Sequence, residues 1–307
     1  MRLLVVGAGS TGGYFGGRLV QAGRDVTFLV RPRRAAQLQE TGLQIVSPHG
    51  DAKLTPKVVT ADKIDGPYDA VLVTVKAYSL EAALDDFAPA VGPQTAILPT
   101  LNGMKHVDVL TSRFGKDAVA GCVCKIAATI DAQNRIAQLA QFQELVYGEM
   151  DGSPSQRMQA LDAFMQGANF DAKLSPTVKR EMWEKWVLLA TMGGITCLMR
   201  GNIGEIQGAH GGDDFVRHFL DEVVATVRKV GEAPSENFLK AATATLTMKG
   251  SAMASSMYRD MQGGHAIEAD QIVGDLLARA QRAGVATPLL ATAYAHMCVY
   301  QNRRAAA

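Results

Sequence analysis

The chain begins with a short apolar run that leads directly into a glycine-rich turn. Residues 3–6 are apolar, and Gly7, Gly9 and Gly12 follow with the spacing GxGxxG, just before an Ala/Gly-rich helical stretch. In a strand–turn–helix unit the first glycine permits a tight turn, the second lets the backbone approach a pyrophosphate, and the third lets helix and strand pack closely. The N–H groups at the helix start attract the anion. The pattern predicts a dinucleotide-binding turn formed by Gly7, Ala8, Gly9, Ser10, Thr11 and Gly12.

The residue that ends the second predicted strand indicates which dinucleotide is bound. That strand covers residues 25–30, and an Asp or Glu at its end would accept a hydrogen bond from the ribose 2′-hydroxyl of NAD. This chain has Arg31 there instead, followed by Pro32, Arg33 and Arg34. Because a guanidinium pairs with a 2′-phosphate in a bidentate way, Arg31 favours NADPH as the cofactor. Arg33 and Arg34 belong either to the same site or to a solvated basic loop.

Composition narrows the class of protein. The 307 residues suffice for two domains, and 48% hydrophobic with 20% charged residues is typical of a globular protein. A net charge of +1 argues against nucleic acid or an anionic membrane as the principal partner. No apolar run approaches the ~18 residues of a membrane span, and no signal-peptide pattern precedes the glycine turn. The four cysteines lack metal-binding spacing, and we expect reduced thiols in a cytoplasmic protein.

Strand and helix patterns alternate through the first half of the chain and then stop alternating. Apolar β-branched runs recur up to residue 120, which predicts a parallel sheet with crossover helices. Short alternating segments between residues 122 and 149 predict antiparallel additions to the sheet edge. The expected fold class is α/β, with an N-terminal Rossmann-type doubly wound sheet and its antiparallel additions in residues 1–174, followed by an all-α C-terminal domain in residues 175–307. Helices are predicted over residues 177–192, 213–230, 236–248 and 266–283, and after residue 288.

Two polar residues follow strands of the predicted sheet. Lys76 comes directly after residues 71–75, and Asn102 comes shortly after residues 96–98. An open α/β sheet binds its ligand at the carboxyl ends of its strands. Lys76 is therefore a candidate contact for the cofactor or a substrate carboxylate, and Asn102 for the nicotinamide ribose or the substrate. Capping of the following helix is the alternative role for either residue.

Two charged residues of the helical half are candidate catalytic groups. Lys185 lies within residues 181–190, which are apolar around most of the helix, and a lysine there is costly unless it is paired or functional. The alternative is an exposed i,i+4 pair with Glu181. Glu268 lies near the start of a predicted helix, where an acid also compensates the helix dipole. Residues 255–260 form a polar loop that either faces a pocket or caps a helix.

These segments, in this order and spacing, resemble the ketopantoate reductase (2-dehydropantoate 2-reductase) family over nearly the whole chain. The resemblance is carried by the GxGxxG turn, Arg31, residues 73–77 (Val-Thr-Val-Lys-Ala), residues 102–104 (Asn-Gly-Met), residues 183–185 (Trp-Glu-Lys), residues 255–257 (Ser-Ser-Met), and residues 268–270 (Glu-Ala-Asp) with Gly274 after them. It implies NADPH-dependent reduction of a 2-oxo acid, foremost 2-dehydropantoate to pantoate in pantothenate biosynthesis.

The resemblance also assigns roles to individual residues. It implies that Lys185 is the general acid and that Glu268 binds the substrate, contacts the cofactor and supports catalysis. Asn102 and Ser256 are expected to contact the substrate or the cofactor. Lys76 is a further candidate for contacts with the substrate and the cofactor. A small-molecule 2-oxo acid is then the partner, and neither nucleic acid, membrane nor metal is expected.

The chain departs from the family pattern at three positions. The family has asparagines one and two turns after the lysine, and another before the glycine that follows the glutamate. This chain has Leu189, Gly193 and Val273 there. Fewer amides weaken recognition of a hydroxylated substrate and favour a 2-oxo acid with a more apolar tail.

Other hypotheses stay open at this point. One is a different NADP-dependent reductase, such as an opine-type dehydrogenase. Another is a non-catalytic NADPH-binding sensor, since a fold alone does not secure a function. The Met- and Ala-rich helical half fits either a homodimer interface or an ordinary core.

Overall fold

The computed structural model describes residues 1–306 and divides the chain into two units. The first unit comprises Met1–Leu101 and His106–Lys179. The second comprises Asn102–Lys105 together with the chain from Arg180 onward. The four-residue segment Asn102–Lys105 therefore groups with the helical unit, although the residues on both sides of it in sequence belong to the first unit.

Helices and strands are numbered in chain order. The strands within the described residues are β1 (Leu3–Val6), β2 (Val26–Leu29), β3 (Leu43–Val46), β4 (Ala52–Leu54), β5 (Lys57–Val59), β6 (Tyr68–Val73), β7 (Val91–Pro99), β8 (Gly121–Ile130), β9 (Ile136–Gly148) and β10 (Asp171–Leu174). The α-helices are α1 (Ser10–Gln21), α2 (Pro32–Thr41), α3 (Leu80–Phe87), α4 (Lys105–Phe114), α5 (Gln156–Met165), α6 (Val178–Met199), α7 (Ile203–Gly208), α8 (Gly212–Val230), α9 (Glu236–Leu246), α10 (Ser256–Gln262), α11 (Asp275–Arg282) and α12 (Pro288–Ala305). A π-helical turn, Asp270–Gly274, precedes α11.

The first sheet is parallel throughout and has the order β5-β2-β1-β6-β7. The direction of strand addition reverses between β1 and β6. An open α/β sheet binds ligands at this point, beyond the carboxyl ends of its strands. The expected Rossmann-type doubly wound sheet is confirmed, and it brings the GxGxxG turn after β1 next to the residues that follow β6.

Both faces of this sheet are buried, as the continuous apolar run of β1 requires. Leu3 and Val5 belong to a core cluster that includes residues of α1. Leu4 and Val6 belong to a second cluster that includes residues of α3 and α4. Alternation of side chains along the strand thus supplies both layers of helix packing from four consecutive residues.

The remaining strands form a second, mixed sheet instead of extending the edge of the first. β8 pairs with β9 in the expected antiparallel manner, but β9 also runs parallel to β3 and to β10. The chain makes an isolated bridge to β7 at Val119 before it enters β8. The expected antiparallel pairing is therefore present, whereas its placement on the edge of the first sheet was wrong.

Helix α1 packs against both sheets, and its glycines explain how. A Cβ atom at Gly16 would lie 2.6 Å from Phe28 Cζ on β2, and one at Gly17 would lie 2.8 Å from Ile45 Cδ1 on β3. Both approaches are closer than real Cβ contacts allow, so any larger residue would force Phe28 or Ile45 to shift. Helix α1 thus contacts strands of both sheets.

The second unit is helical, as expected, with two local differences. Residues 266–283 form the π-helical turn and α11 instead of one continuous helix. The expected polar loop at residues 255–260 is largely α10, which Ser255 caps by accepting a hydrogen bond from Tyr258 N at 3.0 Å. None of the described helices combines the length and apolarity needed to span a bilayer.

An ion pair joins the end of β9 to the start of α5 in the first unit. Arg157 donates from Nε and Nη2 to the two carboxylate oxygens of Glu149 at 2.7 and 2.6 Å, and Ser155 Oγ donates to the same carboxylate at 2.6 Å. Burial by itself would raise the pKa of Glu149. The hydrogen bonds from Arg157 and Ser155 outweigh burial and hold this pKa below its ordinary value of 4.5.

The variant Glu149→Gln should lower the free energy of unfolding by about 1–2 kcal/mol at pH 7, because it removes a charge-assisted pair that solvent screens only partly. Since the folded-state pKa is depressed, the contribution of Glu149 is complete above pH 4.5 and is lost as the pH falls through the folded-state value. Urea unfolding should therefore show the two proteins converging below pH 4.5. Glu144→Gln, which removes the partly exposed partner of the exposed Lys125, is the control and should change stability by less than ~0.5 kcal/mol. A constant difference across the pH range would contradict the assignment.

Candidate active site

The glycine-rich turn is held against the first residues after β6. Gly7 has a φ of +97°, which favours glycine, and its N–H donates to Leu29 O at 2.9 Å. Thr74 Oγ1 donates to Val6 O at 2.8 Å and to Gly7 O at 3.1 Å. A Cβ at Gly12 would overlap with both Thr74 Oγ1 and Gly7 O. The third glycine is therefore required by packing within the protein, and Thr74 is a supporting residue that the motif alone did not single out.

The middle glycine is explained differently. Gly9 is exposed, and a Cβ there would meet no described protein atom within 4 Å. Gly9 is the N-cap of α1, no side chain within residues 1–306 caps it there, and the first turn of α1 contains no acid. The helix start is thus open and electropositive, with Ser10 and Thr11 in its first turn. These features fit a pyrophosphate of a dinucleotide approaching the backbone at Gly9.

Arg31, Arg33 and Arg34 follow β2, and their side chains differ in exposure and in hydrogen-bond partners. Arg31 is the N-cap residue of α2, and its side chain is exposed, as is that of Arg33. Arg34 is half-buried and donates from Nη2 to Ala8 O at 2.9 Å and from Nη1 to Gln37 at 2.7 Å. Burial lowers the pKa of Arg34. Arg34 therefore braces the glycine-rich turn itself, which the sequence left open, while Arg31 presents its guanidinium to solvent at the strand end.

Lys76 lies at the same edge of the first sheet. It follows β6 by three residues and is the N-cap residue of a short 3-10 turn, Ala77–Ser79, with an exposed side chain. Its role as a contact for the cofactor or the substrate stays a prediction.

In the second unit, Lys185 lies on α6 beside a fully buried tryptophan. Lys185 is half-buried, and Trp186 has no exposed surface. Leu189 and Gly193 follow one and two turns later on the same helix face. A Cβ at Gly193 would lie 2.6 Å from Met257 Cε of α10. An apolar methyl group therefore lies next to position 193, where the family pattern has an amide.

Glu268 comes just before the π-helical turn and is half-buried. Its backbone oxygen accepts from Ile272 N at 3.0 Å, and Val273 is fully buried within the turn. Because π turns are rare and often occur at functional sites, this one is an independent indication that the Glu268 segment has a function.

Asn102 and the two serines complete the residues predicted in this unit. Asn102 is half-buried, and its backbone oxygen accepts from Gln271 Nε2 at 3.1 Å. Ser255 is buried and paired with Thr196 Oγ1 at 2.8 Å, so it has a structural role. Ser256 is exposed in the first turn of α10 and accessible to a ligand.

Two residues that the sequence did not indicate connect these elements. Trp186 donates from its indole Nε1 to Ile272 O at 2.8 Å, joining α6 to the turn after Glu268. Gln271 joins the same turn to Asn102. Within the second unit, therefore, Lys185, Glu268 and Asn102 are carried by elements that contact one another directly.

Known proteins similar to this chain cover it almost completely. Residues 3–152 match the family model "Ketopantoate reductase PanE/ApbA", and residues 177–301 match the model of that family's C-terminal region. The uncharacterized oxidoreductase YkpB of Bacillus subtilis is 35% identical, over 99% of this chain and 100% of its own length. The 2-dehydropantoate 2-reductase of Halobacterium salinarum is 26% identical, over 95% of this chain and 96% of its own. The crystal structure of 2-dehydropantoate 2-reductase from Geobacter metallireducens GS-15 has a TM-score of 0.85 at 26% identity, and covers 96% of this chain and 98% of its own.

Alanine substitutions at Gly12 and at Gly9 should affect different properties of the protein. Gly12→Ala should lower the free energy of unfolding by about 1–3 kcal/mol, because its methyl group overlaps with Thr74 and Gly7. Gly9→Ala should cost no more than ~1 kcal/mol, from the less favourable helix N-cap, but should weaken binding of a nicotinamide dinucleotide by ~10-fold or more, because the methyl group would occupy the space open to a pyrophosphate. Thermal unfolding by circular dichroism and fluorescence titration with NADPH measure the two effects. Wild-type NADPH affinity in Gly9→Ala would place the dinucleotide elsewhere.

Proposed function

The chain belongs to the ketopantoate reductase family, and on that premise we propose that it uses NADPH to reduce a small 2-oxo acid to the 2-hydroxy acid. It is an NAD(P)-dependent oxidoreductase. The substrate proposed first is 2-dehydropantoate, with pantoate as the product, because relatives at 26% identity carry the name of that reaction. The observation that carries the proposal is the connection, within the second unit, of the Lys185 helix to the Glu268 turn and the Asn102 segment.

The proposed chemistry needs one proton donor at the substrate oxygen. Held at the Gly7–Gly12 turn and by Arg31, NADPH would supply the hydride that reduces the carbonyl carbon, and negative charge would develop on the carbonyl oxygen. In this proposal the Lys185 ammonium donates a hydrogen bond to that oxygen and then gives it a proton, yielding the hydroxyl group. Lys185 regains its proton from water. The overall change is 2-oxo acid, NADPH and one proton to 2-hydroxy acid and NADP⁺.

Glu268 and Asn102 have supporting roles in this scheme. A carboxylate near Lys185 favours the charged ammonium, whereas partial burial disfavours it. In this scheme Glu268 binds a polar group of the substrate and supports the proton transfer from Lys185. The Asn102 amide and the Ser256 hydroxyl would fix the position of the substrate or the ribose, which lowers the entropic cost of reaching the reactive geometry.

The preference for NADPH over NADH rests on the residues that follow β2. No acid occupies residues 30–34 to accept from a ribose 2′-hydroxyl, and Arg31 is exposed at the N-terminus of α2. An exposed guanidinium at a helix N-terminus suits a 2′-phosphate in charge and geometry. Arg34 contributes by holding the adjacent turn through Ala8.

A second substrate class is favoured by a specific contact. The Met257 methyl group lies next to position 193, and the other two positions where the family pattern has an amide, 189 and 273, carry Leu and Val. These residues offer no amide to a terminal hydroxyl group of the substrate. A 2-oxo acid with a more apolar tail is therefore the alternative substrate for the same reaction.

We place the protein in the cytoplasm. Cys122, Cys124 and Cys197 are buried free thiols and Cys298 is a partly buried one, which supports a reducing compartment.

The function is tested by following NADPH oxidation at 340 nm with 2-dehydropantoate and with a 2-oxo acid of similar size that lacks the terminal hydroxyl. We expect turnover that falls by at least ~10²-fold in Lys185→Ala, because the proton donor is lost, while the affinity for NADPH is unchanged. A higher kcat/KM for the second acid would select the apolar substrate class. NADPH binding without turnover of any 2-oxo acid would contradict the proposed reaction and favour a sensor.

Arg31→Ala should raise the KM for NADPH by ~10- to 100-fold and leave the KM for NADH unchanged, because a charge-assisted pair with the 2′-phosphate contributes about 1.5–3 kcal/mol. Arg33→Ala is the matched control, since Arg33 is equally exposed, and should change neither value by more than ~2-fold. Arg34→Ala should raise both values, because it releases Ala8 in the turn that both cofactors need. Steady-state kinetics with each cofactor separates these patterns. Equal losses with NADPH and NADH in Arg31→Ala would contradict the 2′-phosphate assignment.

A further inference from the structure

Trp186 is a buried residue whose polar atom has a specific partner. It is completely buried, and its indole Nε1 donates to Ile272 O at 2.8 Å. Trp186 directly follows Lys185 on α6. A buried indole N–H without a partner is costly, so this bond fixes the distance between α6 and the segment that contains Ile272.

The acceptor lies in the π-helical turn Asp270–Gly274. This turn is held on its other side by α12, where Tyr294 donates to Asp270 Oδ1 at 2.7 Å. The Tyr294 ring packs so closely on Gly274 that a Cβ there would lie 2.7 Å from it. The turn is therefore fixed between α6 and α12. Glu268 lies two residues before the turn begins.

The Asn102–Lys105 segment contacts both the π-helical turn and Trp186. Gln271 is largely buried and donates from Nε2 to Asn102 O at 3.1 Å. Gly103 has a φ of +83°, and a Cβ there would lie 2.7 Å from Gln271 O and 3.6 Å from Trp186 Nε1. The backbone after Asn102 thus lies directly on Gln271 and on the Trp186 indole.

We propose that Trp186 and Gln271 are positioning residues for the reaction: they fix the Glu268 turn and the Asn102 segment relative to the helix that carries Lys185. The proposal rests on the proposed function. Neither residue needs to touch the substrate, since each acts through the backbone of a segment that carries a substrate-binding or catalytic side chain. Misplacement of such groups by a fraction of an ångström lowers the rate more than it lowers binding.

The helix supplies a matched control in Trp183. Its ring centroid lies 5.3 Å from that of Trp186, and the Arg279 guanidinium lies 5.9 Å from the first ring and 5.6 Å from the second. The Trp183 indole nitrogen is buried and has no hydrogen-bond partner among residues 1–306. Phenylalanine at either position removes similar apolar area, but only Trp186→Phe removes a hydrogen bond.

The test compares Trp186→Phe and Trp183→Phe for kcat, KM and NADPH affinity. Trp186→Phe should lower kcat by ~10- to 100-fold and change KM and NADPH affinity by less than ~3-fold. Trp183→Phe should keep kcat within ~3-fold of the wild type. Gln271→Met, which keeps the length of the side chain but removes its donor, should lower kcat in the same way and provides a second variant if Trp186→Phe folds poorly.

Amide hydrogen exchange gives a readout that does not need turnover. Exchange at residues 268–274 and 102–105 should be at least ~10-fold faster in Trp186→Phe than in Trp183→Phe, because the bond that fixes these segments is lost. Equal kcat and equal exchange in the two variants would overturn the proposal. If the wild type reduces no 2-oxo acid, the proposed function fails, and the exchange comparison alone decides whether Trp186 positions these segments.

Discussion

The first unit depends on how closely α1 approaches its neighbours. At Gly12 the helix start lies against Thr74 and Gly7, and at Gly16 and Gly17 its backbone reaches Phe28 on one sheet and Ile45 on the other. A Cβ at Gly12 would overlap with backbone as well as with Thr74, and one at Gly16 or Gly17 would force a neighbouring side chain to shift. The close contact holds the start of α1 beside the end of β1, where the proposed dinucleotide would meet the N–H groups of the first helical turn.

Thr74 and Arg34 show how this site is supported from outside the motif. Thr74 donates to carbonyls of Val6 and Gly7, and Arg34 donates to Ala8 O. The backbone oxygens of Val6, Gly7 and Ala8 thus accept hydrogen bonds from side chains outside the motif. Such bonds hold the turn in one conformation, and a preformed turn would reduce the entropic cost of binding the proposed dinucleotide.

The second unit uses a different device for the same purpose. Its candidate groups lie on a long helix, on a segment before a π turn and on a four-residue segment. The Trp186 and Gln271 hydrogen bonds connect them. Met257 beside Gly193 adds an apolar surface next to the face that carries Lys185. This combination is consistent with the proposed reductase chemistry on a 2-oxo acid.

Features that arise from residues close together in the chain could be predicted from the amino-acid sequence alone. The strand–turn–helix at residues 3–21, the parallel sheet, the helical second half and the family were all predicted from local patterns, because periodicity and glycine spacing act over a few residues. The roles of Lys185, Glu268, Asn102, Ser256 and Lys76 stay predictions. Three features became visible only in the folded chain. The later strands form a separate sheet, Arg34 donates to the glycine-rich turn, and Trp186 and Gln271 connect the segments that carry Lys185, Glu268 and Asn102. The partners in the Trp186–Ile272 and Gln271–Asn102 hydrogen bonds are 86 and 169 residues apart in the chain. No local sequence pattern specifies which buried donor meets which backbone carbonyl across such separations.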